Sequence, residues 1–243
     1  MSISIIVPTL NEEAFIQPFL EHLRERAMGA EVIVADGGSA DHTVELATPL
    51  AHRVVHTKRG RAVQMNTAAL AARREVLWFL HADATVPLGC LSDIEQIMSN
   101  PQIVGGFFRI RLPCSQTIYR LTDSFAHYAG ILLRMRCGDH GIFCRRSVFN
   151  DIGGFPTVPL MEDVEFFRRL RRRGRVVHSN KRIIVSARRY KAIGPARLTF
   201  AYGFIASLYC CGVGLSTLAR LYQLTCCAAH DRQSVSDLLT GAE

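Results

Sequence analysis

No two of the eight cysteines stand at C-x-x-C spacing, which excludes a zinc ribbon. They are scattered (Cys90, Cys114, Cys137, Cys144) or adjacent (Cys210 and Cys211, Cys226 and Cys227). Internal repeats, low-complexity tracts and a composition-defined linker are also missing, so neither a solenoid nor a disordered chain is indicated. The opening "MSISIIVPTLNEE" has no basic n-region, and its apolar run is too short for export. Together with the thiol pattern, this predicts a reducing compartment, the cytoplasm, with the cysteines serving as small core residues. Acidic residues are the minority, 21 against 29 Lys and Arg, for a formal net charge of +8. That balance points to an anionic partner: nucleic acid, an anionic membrane surface or a phosphorylated substrate. Arg that is merely abundant is the plain alternative.

What is present is a large core. With 243 residues, 49% of them hydrophobic, the chain can bury one substantial domain, or one domain and a tail. Ile3 to Val7 is a short β-branched run closed by Pro8. Leu10 to Arg26 carries Phe15, Ile16, Phe19, Leu20 and Leu23 at helical spacing. "EVIVADGGSADHT" reads as a second buried strand ending at Asp36-Gly37-Gly38, with a helix beginning near Asp41. "HRVVHTKRG" is a third strand, "RAVQMNTAALAARR" a helix and "EVLWFLHAD" a fourth strand. Pro87 to Met98 predicts a helix opened by proline. Strands alternating with helices, each strand apolar without interruption, predict an α/β fold: a Rossmann-like, mostly parallel sheet covered on both faces.

The second half is less regular. "VGGFFRIRL" reads as a strand, Ser115 to Met135 as a helix, and "CGDHGIFCRR" as a tight loop entering a short strand. "MEDVEFFRRLRRRG" is a helix stopped by Gly174, and "RVVHSNKRIIVS" one or two strands. The expected division is a domain over 1–195 and an apolar helical segment over 196–243.

Ligands of parallel sheets bind outside the carboxyl ends of the strands. Those ends carry Pro8-Thr9-Leu10-Asn11-Glu12, Asp36-Gly37-Gly38-Ser39, Arg59-Gly60-Arg61 and His81-Ala82-Asp83. A carboxylate at Asp83 suits Mg²⁺ or Mn²⁺, and such an ion neutralises a departing diphosphate. An ordinary turn before Pro87 accounts for Asp83 as well. Asp36 could accept from a nucleobase N–H or a ribose hydroxyl, with Gly37 allowing close backbone approach; a turn-forming Asp is the alternative. Arg59 and Arg61 at a helix start suit a diphosphate.

Glu162 and Asp163 open a helix, where the macrodipole favours negative charge. Beside a substrate crevice, such a carboxylate also makes a general base. Phe166, Phe167 and Leu170 form the packing face of that helix, and its Arg residues occupy the others. Those Arg residues contact phosphate or lipid head groups, or form a solvated face.

The ordered landmarks "SIIVPTLNEE", "VIVADGGSADHT", "RGRAVQMN", "FLHADA", "GDHGIFCRRSVF" and "GGFPTVPLMEDVEFFRRLRRRG" resemble those of a family 2 glycosyltransferase with the GT-A fold. They are most similar to its short, single-domain subgroup labelled radical-SAM/selenodomain-associated. The resemblance implies a nucleotide-sugar donor (UDP- or GDP-linked), a divalent cofactor (Mn²⁺ or Mg²⁺) and inversion at the anomeric carbon. It implies a donor pocket lined by Pro8, Thr9, Asn11, Glu12, Asp36, Gly37, Arg61, Asn66, Ala82 and Asp83. Asp83 would be the last acidic position of the D-x-D motif. Asp163, with Glu162 beside it, would deprotonate the acceptor hydroxyl, and Gly138, Asp139, His140 and Gly141 would border acceptor and sugar. His81 departs from the motif, standing where its first Asp usually is. Histidine ligates Mn²⁺ well and Mg²⁺ poorly, so His81 ligates metal, contacts the ribose or simply packs. His178 occupies a strand position where some relatives place a metal-binding His.

Between Leu198 and Ala219 no residue is charged. A helix pair packed on the domain or in a homodimer, an interfacial membrane helix and a transmembrane span are all open readings. The membrane readings imply a lipid-linked acceptor. Two other functions compete with sugar transfer. A nucleotidyltransferase normally follows its first strand with a glycine-rich loop, which "PTLNEE" lacks. A basic RNA- or membrane-docking module leaves Asp36, Asp83 and Asp163 unexplained.

Overall fold

The computed structural model describes residues 1–113, 119, 120, 124 and 138–226. The helix expected over Ser115 to Met135, and Cys114, Cys137 and Cys227, therefore lie outside the described residues. In order, the elements are β1 (Ile3–Thr9), α1 (Glu13–Arg26), β2 (Glu31–Asp36), α2 (Thr43–Ala47), β3 (Arg53–His56), α3 (Arg61–Ala71), β4 (Val76–Phe79) and α4 (Cys90–Met98). They continue with β5 (Ile103–Arg111), a 3₁₀ turn (Gly138–His140), β6 (Phe143–Arg145), α5 (Arg146–Asp151), α6 (Glu162–Arg173), β7 (Arg175–Ile184), α7 (Arg188–Ile193), α8 (Pro195–Cys210) and α9 (Leu215–Cys226).

The strands form one seven-stranded sheet in the order β3-β2-β1-β4-β6-β5-β7. β1 pairs in parallel with β2 and with β4, β2 with β3, and β5 with β7. Among the described strands β6 alone runs antiparallel, between β4 and β5, and Thr85 makes an isolated antiparallel bridge to Ile184 of β7. Alternate residues of each strand feed two cores, as the period-2 geometry requires. Ile5, Val7, Val34 and Trp78 meet α1 and α4 residues such as Leu20 and Ile94. Ile6, Ile33, Leu77 and Phe79 meet α3, α5 and α6 through Met65, Phe149 and Phe166. A sheet covered on both faces explains why its strands read as unbroken apolar runs.

One helix start differs from the sequence reading, and one open reading is resolved. The helix expected from Pro87 starts at Cys90, because Gly89 is left-handed at φ 80. "RVVHSNKRII" is one strand, the first of the two alternatives read from the sequence, and its register against β5 slips between Ile103 and Gly105 and between Phe107 and Arg109.

The chain divides into two compact units: Met1–Arg111, Arg136–Pro156 and Asp163–Val185 form the first, which holds the whole sheet. Leu112–Met135, Thr157–Glu162 and Ser186–Glu243 form the second. In the second unit α8 and α9 pack together through Leu198, Ile205 and Leu218. The uncharged run from Leu198 to Ala219 is thus two helices broken around Gly212, at φ 82. Among the described residues no helix is long and apolar enough to cross a membrane, which corrects the transmembrane reading. Cys90, Cys144 and Cys226 are buried, as expected of core fillers, and burial pushes the Cys90 thiol up to about 12. Cys210 and Cys211 are exposed, against that expectation.

Candidate functional site

The sheet order reverses beside β1: β2 and β3 lie on one side and β4 on the other. This switch point opens a crevice at the carboxyl ends of β1 and β4, the ligand position of open α/β sheets. Because β6 runs backwards, its amino end lies at that same edge, with Trp78 opposite Phe143 and Phe79 N donating to Ile142 O at 2.9 Å. The Gly138–Gly141 loop, which precedes β6, therefore meets the tip of β4. Likewise, α6 must start at this edge, because it runs back across the sheet to deliver β7. Phe166 locks it there, stacked on Phe155 at 4.1 Å and edge-on to Phe79, the last residue of β4, at 6.1 Å. Burying one such ring contributes roughly 1.5–3 kcal/mol. Asp163, one turn before Phe166, is buried at 8% exposure, and its carboxylate accepts from Val164 N at 2.7 Å.

The β1–α1 loop is sewn to the β2–α2 loop. Asn11 sits at φ 53, a strained conformation for a non-glycine residue. Its N–H donates to Ser39 Oγ, and its Oδ1 accepts from Ala40 N, both at 2.9 Å. Glu12 N donates to Thr43 Oγ1 at 2.8 Å, and Glu13 N to Asp41 Oδ2 at 3.2 Å. Asp41 also accepts from Thr43 N at 3.0 Å and from its hydroxyl. Although burial opposes it, hydrogen bonds from Thr43 and from the Glu13 N–H hold the Asp41 carboxyl below its ordinary value. Met161, just before α6, is the other non-glycine residue at positive φ among the described residues, at 66.

Asp36, expected at the nucleobase, is 1% exposed. Its Oδ2 accepts from Gly38 N and Ser39 N at 2.9 Å, and its Oδ1 from Ser39 Oγ at 2.5 Å and Thr9 Oγ1 at 3.4 Å. These bonds tie the carboxylate to its own loop and to the end of β1. Asn66, expected at the nucleotide, donates to Phe155 O and accepts from Phe155 N, both at 2.8 Å. The polar side chain of α3 that reaches the strand tips is instead Gln64, which is buried. It donates to Thr9 O at 2.6 Å and to Ala35 O at 3.0 Å. A Cβ on Gly37 would stand 3.0 Å from the Gln64 amide, a tight contact that would push on that side chain. Gln64 was missed in the sequence, and Ser39 was named only as part of the strand-end cluster Asp36-Gly37-Gly38-Ser39. The signal for Gln64 was a polar residue on the Ala-rich buried face of α3.

Arg61, the first residue of α3, is exposed, and Arg59 is half-buried two residues earlier. In the turn after β4, Ala82 is buried and Asp83 is half-exposed. Glu162 opens α6 and is half-buried.

His81 Nε2 lies 3.3 Å from Asp139 Oδ1, with the ring 19% and the carboxylate 55% exposed. His140 beside it is buried, edge-on to Phe107 at 6.3 Å. Gly141, at φ 54, has no room for a side chain: a Cβ would stand 2.3 Å from Ile183 Cδ1 and 3.1 Å from Trp78 Nε1. His178 is exposed, in register with Phe107 on β7, the sheet's last strand. Three strand spacings, about 14 Å, separate β7 from β4. Among the described residues no three His, Cys, Asp or Glu side chains form a metal-ligand set. His81, Asp83 and His178 are therefore not a preformed triad. His178 stands in the first half of β7, whereas the segment after Asp83 meets the far end of that strand, where Thr85 N donates to Ile184 O at 2.8 Å.

Residues 4–153 match the model of glycosyl transferase family 2. The succinoglycan biosynthesis protein ExoA of Rhizobium meliloti (strain 1021) is 28% identical over 221 residues, covering 82% of this chain and 67% of that protein. Three solved structures share the architecture. S. aureus TarS 1–349 in complex with UDP-GlcNAc is 20% identical with a TM-score of 0.62, over 77% of this chain; the chain spans 59% of that structure's length. The mannosyltransferase PcManGT from Pyrobaculum calidifontis, in complex with GDP-Man and Mn²⁺, is 22% identical with a TM-score of 0.67, over 99% of this chain and 74% of that one. Glucosyl-3-phosphoglycerate synthase from Mycobacterium tuberculosis, in complex with Mn²⁺, UDP and glucosyl-3-phosphoglycerate, is 20% identical with a TM-score of 0.57, over 88% and 81%. At these identities the likeness establishes the fold, an α/β architecture of GT-A type. With more than half of its 243 residues matched by the family model, the chain belongs to glycosyl transferase family 2.

Proposed function

We propose that this glycosyltransferase moves a hexose from a UDP- or GDP-linked donor to an acceptor hydroxyl, with inversion. The observation that carries the reading is the gathering of polar groups at one edge of the sheet. The tips of β1, β2 and β4, the amino end of β6 and the start of α6 all lie there. Family membership favours sugar transfer over nucleotidyl transfer or RNA docking. Solved structures of similar fold contain UDP-GlcNAc, GDP-Man or UDP, two of them with Mn²⁺.

In this reading the nucleoside lies in the crevice between β1 and β4, against Pro8, Thr9, Asn11 and Glu12. Asp36 accepts from the base, and Gln64 holds the floor beneath it in shape. Asn66 positions Phe155 and through it the aromatic cluster under α6. Arg61 and the amide N–H groups at the start of α3 attract the diphosphate. Asp83 and His81 are the residues that would hold a divalent cation. Oxygen and imidazole donors suit Mn²⁺, and one or two protein ligands suffice where phosphate oxygens complete the shell. When bound, Mn²⁺ or Mg²⁺ neutralises charge on the departing diphosphate.

The acceptor oxygen approaches the face opposite the diphosphate, and Asp163 takes its proton. Such general-base help accelerates reactions by about 10²–10⁴-fold. Glu162 beside it keeps the helix start anionic. The Gly138–Gly141 loop borders sugar and acceptor.

We assign the transfer to residues 1–195, with 196–243 as an appended helical segment. Phe200 is 77% exposed and Leu224 64%, and each follows an exposed Arg (Arg197, Arg220) by one helical turn. That combination supports a lipid-linked acceptor presented at the inner face of a membrane. Buried thiols at Cys90, Cys144 and Cys226 that serve as core residues fit a cytoplasmic location.

A thermal-shift screen of nucleotide-sugars with and without Mn²⁺ tests the reading. One donor should stabilise the protein only when metal is present, by about 2.7 kcal/mol at 100 times its Kd. Lack of any shift with every UDP- and GDP-sugar, with metal, would overturn it.

A further inference from the structure

We infer, on the sugar-transfer reading above, that Arg109 and Arg182, with Arg111 beyond them, form a phosphate site level with Asp163, and that the acceptor of this transferase carries a phosphate group.

Strand geometry brings the three Arg residues together. Arg109 stands in register with Arg182 across the parallel pair β5 and β7, and Arg111 follows two residues on. In-register neighbours, and residues two apart on one strand, share a face of the sheet. Phe108 and Ile183, which alternate with them, belong to the core under α1 and α4. The Arg side chains therefore stand on the other face, the one α6 covers through Phe166 and Phe167. β5 is antiparallel to β6 and β6 to β4, so β5 and β7 end at the same edge of the sheet as β4. At that edge Thr85 N donates to Ile184 O at 2.8 Å. α6 runs opposite to β5, because it delivers β7, which pairs with β5 in parallel. Phe167 lies edge-on to Phe107 at 5.5 Å. From that contact, two residues along β5 (about 6.7 Å) and four back along α6 (about 6 Å) reach the same level. Arg109 is thus level with Asp163.

Two observations point to an anion. Nε of Arg109 is buried and has no hydrogen-bond partner among the described residues. A buried donor left unpaired is costly, and native proteins keep few of them without a ligand or water to accept the bond. Adjacent strands lie about 4.8 Å apart, so Arg109 and Arg182 set two like charges side by side. Among the described residues no ion pair joins a carboxylate to either of them or to Arg111. A phosphate dianion between such groups replaces repulsion with charge-assisted hydrogen bonds, bidentate where the guanidinium fork meets two phosphate oxygens. The donor's own diphosphate is elsewhere, at the start of α3. The crevice strand β1 lies three strand spacings from β5, about 14 Å. The Arg cluster is on the acceptor's side, with Asp163.

The test uses the full chain loaded with UDP or GDP and Mg²⁺, so that the diphosphate position is filled. Inorganic phosphate and glycerol 3-phosphate are titrated calorimetrically. Phosphatidylcholine vesicles with and without phosphatidic acid are sedimented with the protein. The wild type should bind the phosphate probes, and Arg109→Gln and Arg182→Gln should each weaken that binding by about 10–100-fold with nucleotide affinity unchanged. Arg172→Gln, at an exposed position in the last turn of α6, should bind them as the wild type does. Binding of glycerol 3-phosphate in solution supports the site and marks a soluble phosphate ester as acceptor; binding confined to phosphatidic-acid vesicles supports it and marks a lipid phosphate. Arg182 is exposed, so Arg182→Gln decides the question even where Arg109→Gln misfolds. A nucleotide-loaded wild type that binds no phosphate probe, wild-type binding by Arg182→Gln, or an equal loss in Arg172→Gln would overturn the inference alone. A wild type that binds neither UDP nor GDP would overturn the sugar-transfer reading with it.

Discussion

The side-chain N–H of Gln64 donates to the main-chain oxygen of Thr9 at 2.6 Å, tying the middle of α3 to the last residue of β1. The same amide reaches Ala35 O on β2, so one buried group holds two strand tips at the mouth of the crevice. Gln64→Leu removes one donor from each oxygen, while Gly37 N still reaches Thr9 O at 2.9 Å and Thr9 Oγ1 still reaches Ala35 O at 3.4 Å, so the loss is that of ordinary hydrogen bonds, about 0.5–1.5 kcal/mol each. The expected result is that loss in urea-unfolding free energy, with weaker nucleotide binding, because the loops after β1 and β2 are then less well fixed. Unchanged stability would show that water or a neighbour replaces the amide.

Asn66 should behave differently from a nucleotide ligand. Its carboxamide clasps both backbone groups of Phe155, which packs under α6. Asn66→Ala is expected to lower stability by about 1–3 kcal/mol while the affinity for UDP or GDP, measured by calorimetry on the folded protein, stays within about threefold. A selective loss of nucleotide affinity at full stability would return Asn66 to the donor pocket.

Asp163 and Asp83 should separate chemistry from binding. Asp163→Asn keeps the shape of the α6 start, so metal-dependent stabilisation by the donor should persist while turnover falls about 10²–10⁴-fold. Asp83→Ala should instead abolish the metal-dependent part of the thermal shift. Equal turnover by Asp163→Asn and wild type would remove Asp163 from the base role.

Acid should loosen the opposite edge of the sheet. Glu31 is buried, which alone would raise its pKa. The hydroxyl of Ser4 at 2.5 Å, the Arg73 N–H at 2.9 Å and the charges of Arg74 and Arg53 outweigh burial, leaving the carboxyl below its ordinary value. A pKa lowered in the folded state contributes stability above the unfolded value, near 4.3, and that contribution is lost as pH falls through the lower folded value. Urea midpoints measured from pH 7 to pH 3 should therefore drop below about pH 4, and Glu31→Gln should flatten that drop. An identical acid profile in Glu31→Gln would assign the loss to other carboxylates, Asp41 foremost.

The rhythm of elements was legible because a doubly covered sheet needs unbroken apolar strands, such as "VIVA" and "VLWF", and amphipathic helices between them. The helix over Glu162–Arg173 was equally plain: Phe166, Phe167 and Leu170 mark its face, and Gly174 its end. These are local signals, set by main-chain geometry and the period of burial.

The site was only partly legible, for a reason of range. Asp36, Asp83 and Asp163 could be named as polar groups at element ends, but a residue type does not say how a side chain is used. Whether a carboxylate faces a ligand or caps its own loop depends on neighbours brought from elsewhere. Asp36 is satisfied by Thr9 as well as by its own loop, and Asn66 by a backbone 89 positions away.

The sequence by itself determined the alternation of strands and helices, the sheet edge that collects the polar residues, and family membership, because each is written in short-range pattern. The tertiary structure alone decided that β6 runs backwards beside β4, that Asp139 therefore meets His81, that His178 lies three strands away, and that the uncharged C-terminal run is two helices. Strand order and direction follow from packing between distant segments, which no local pattern encodes.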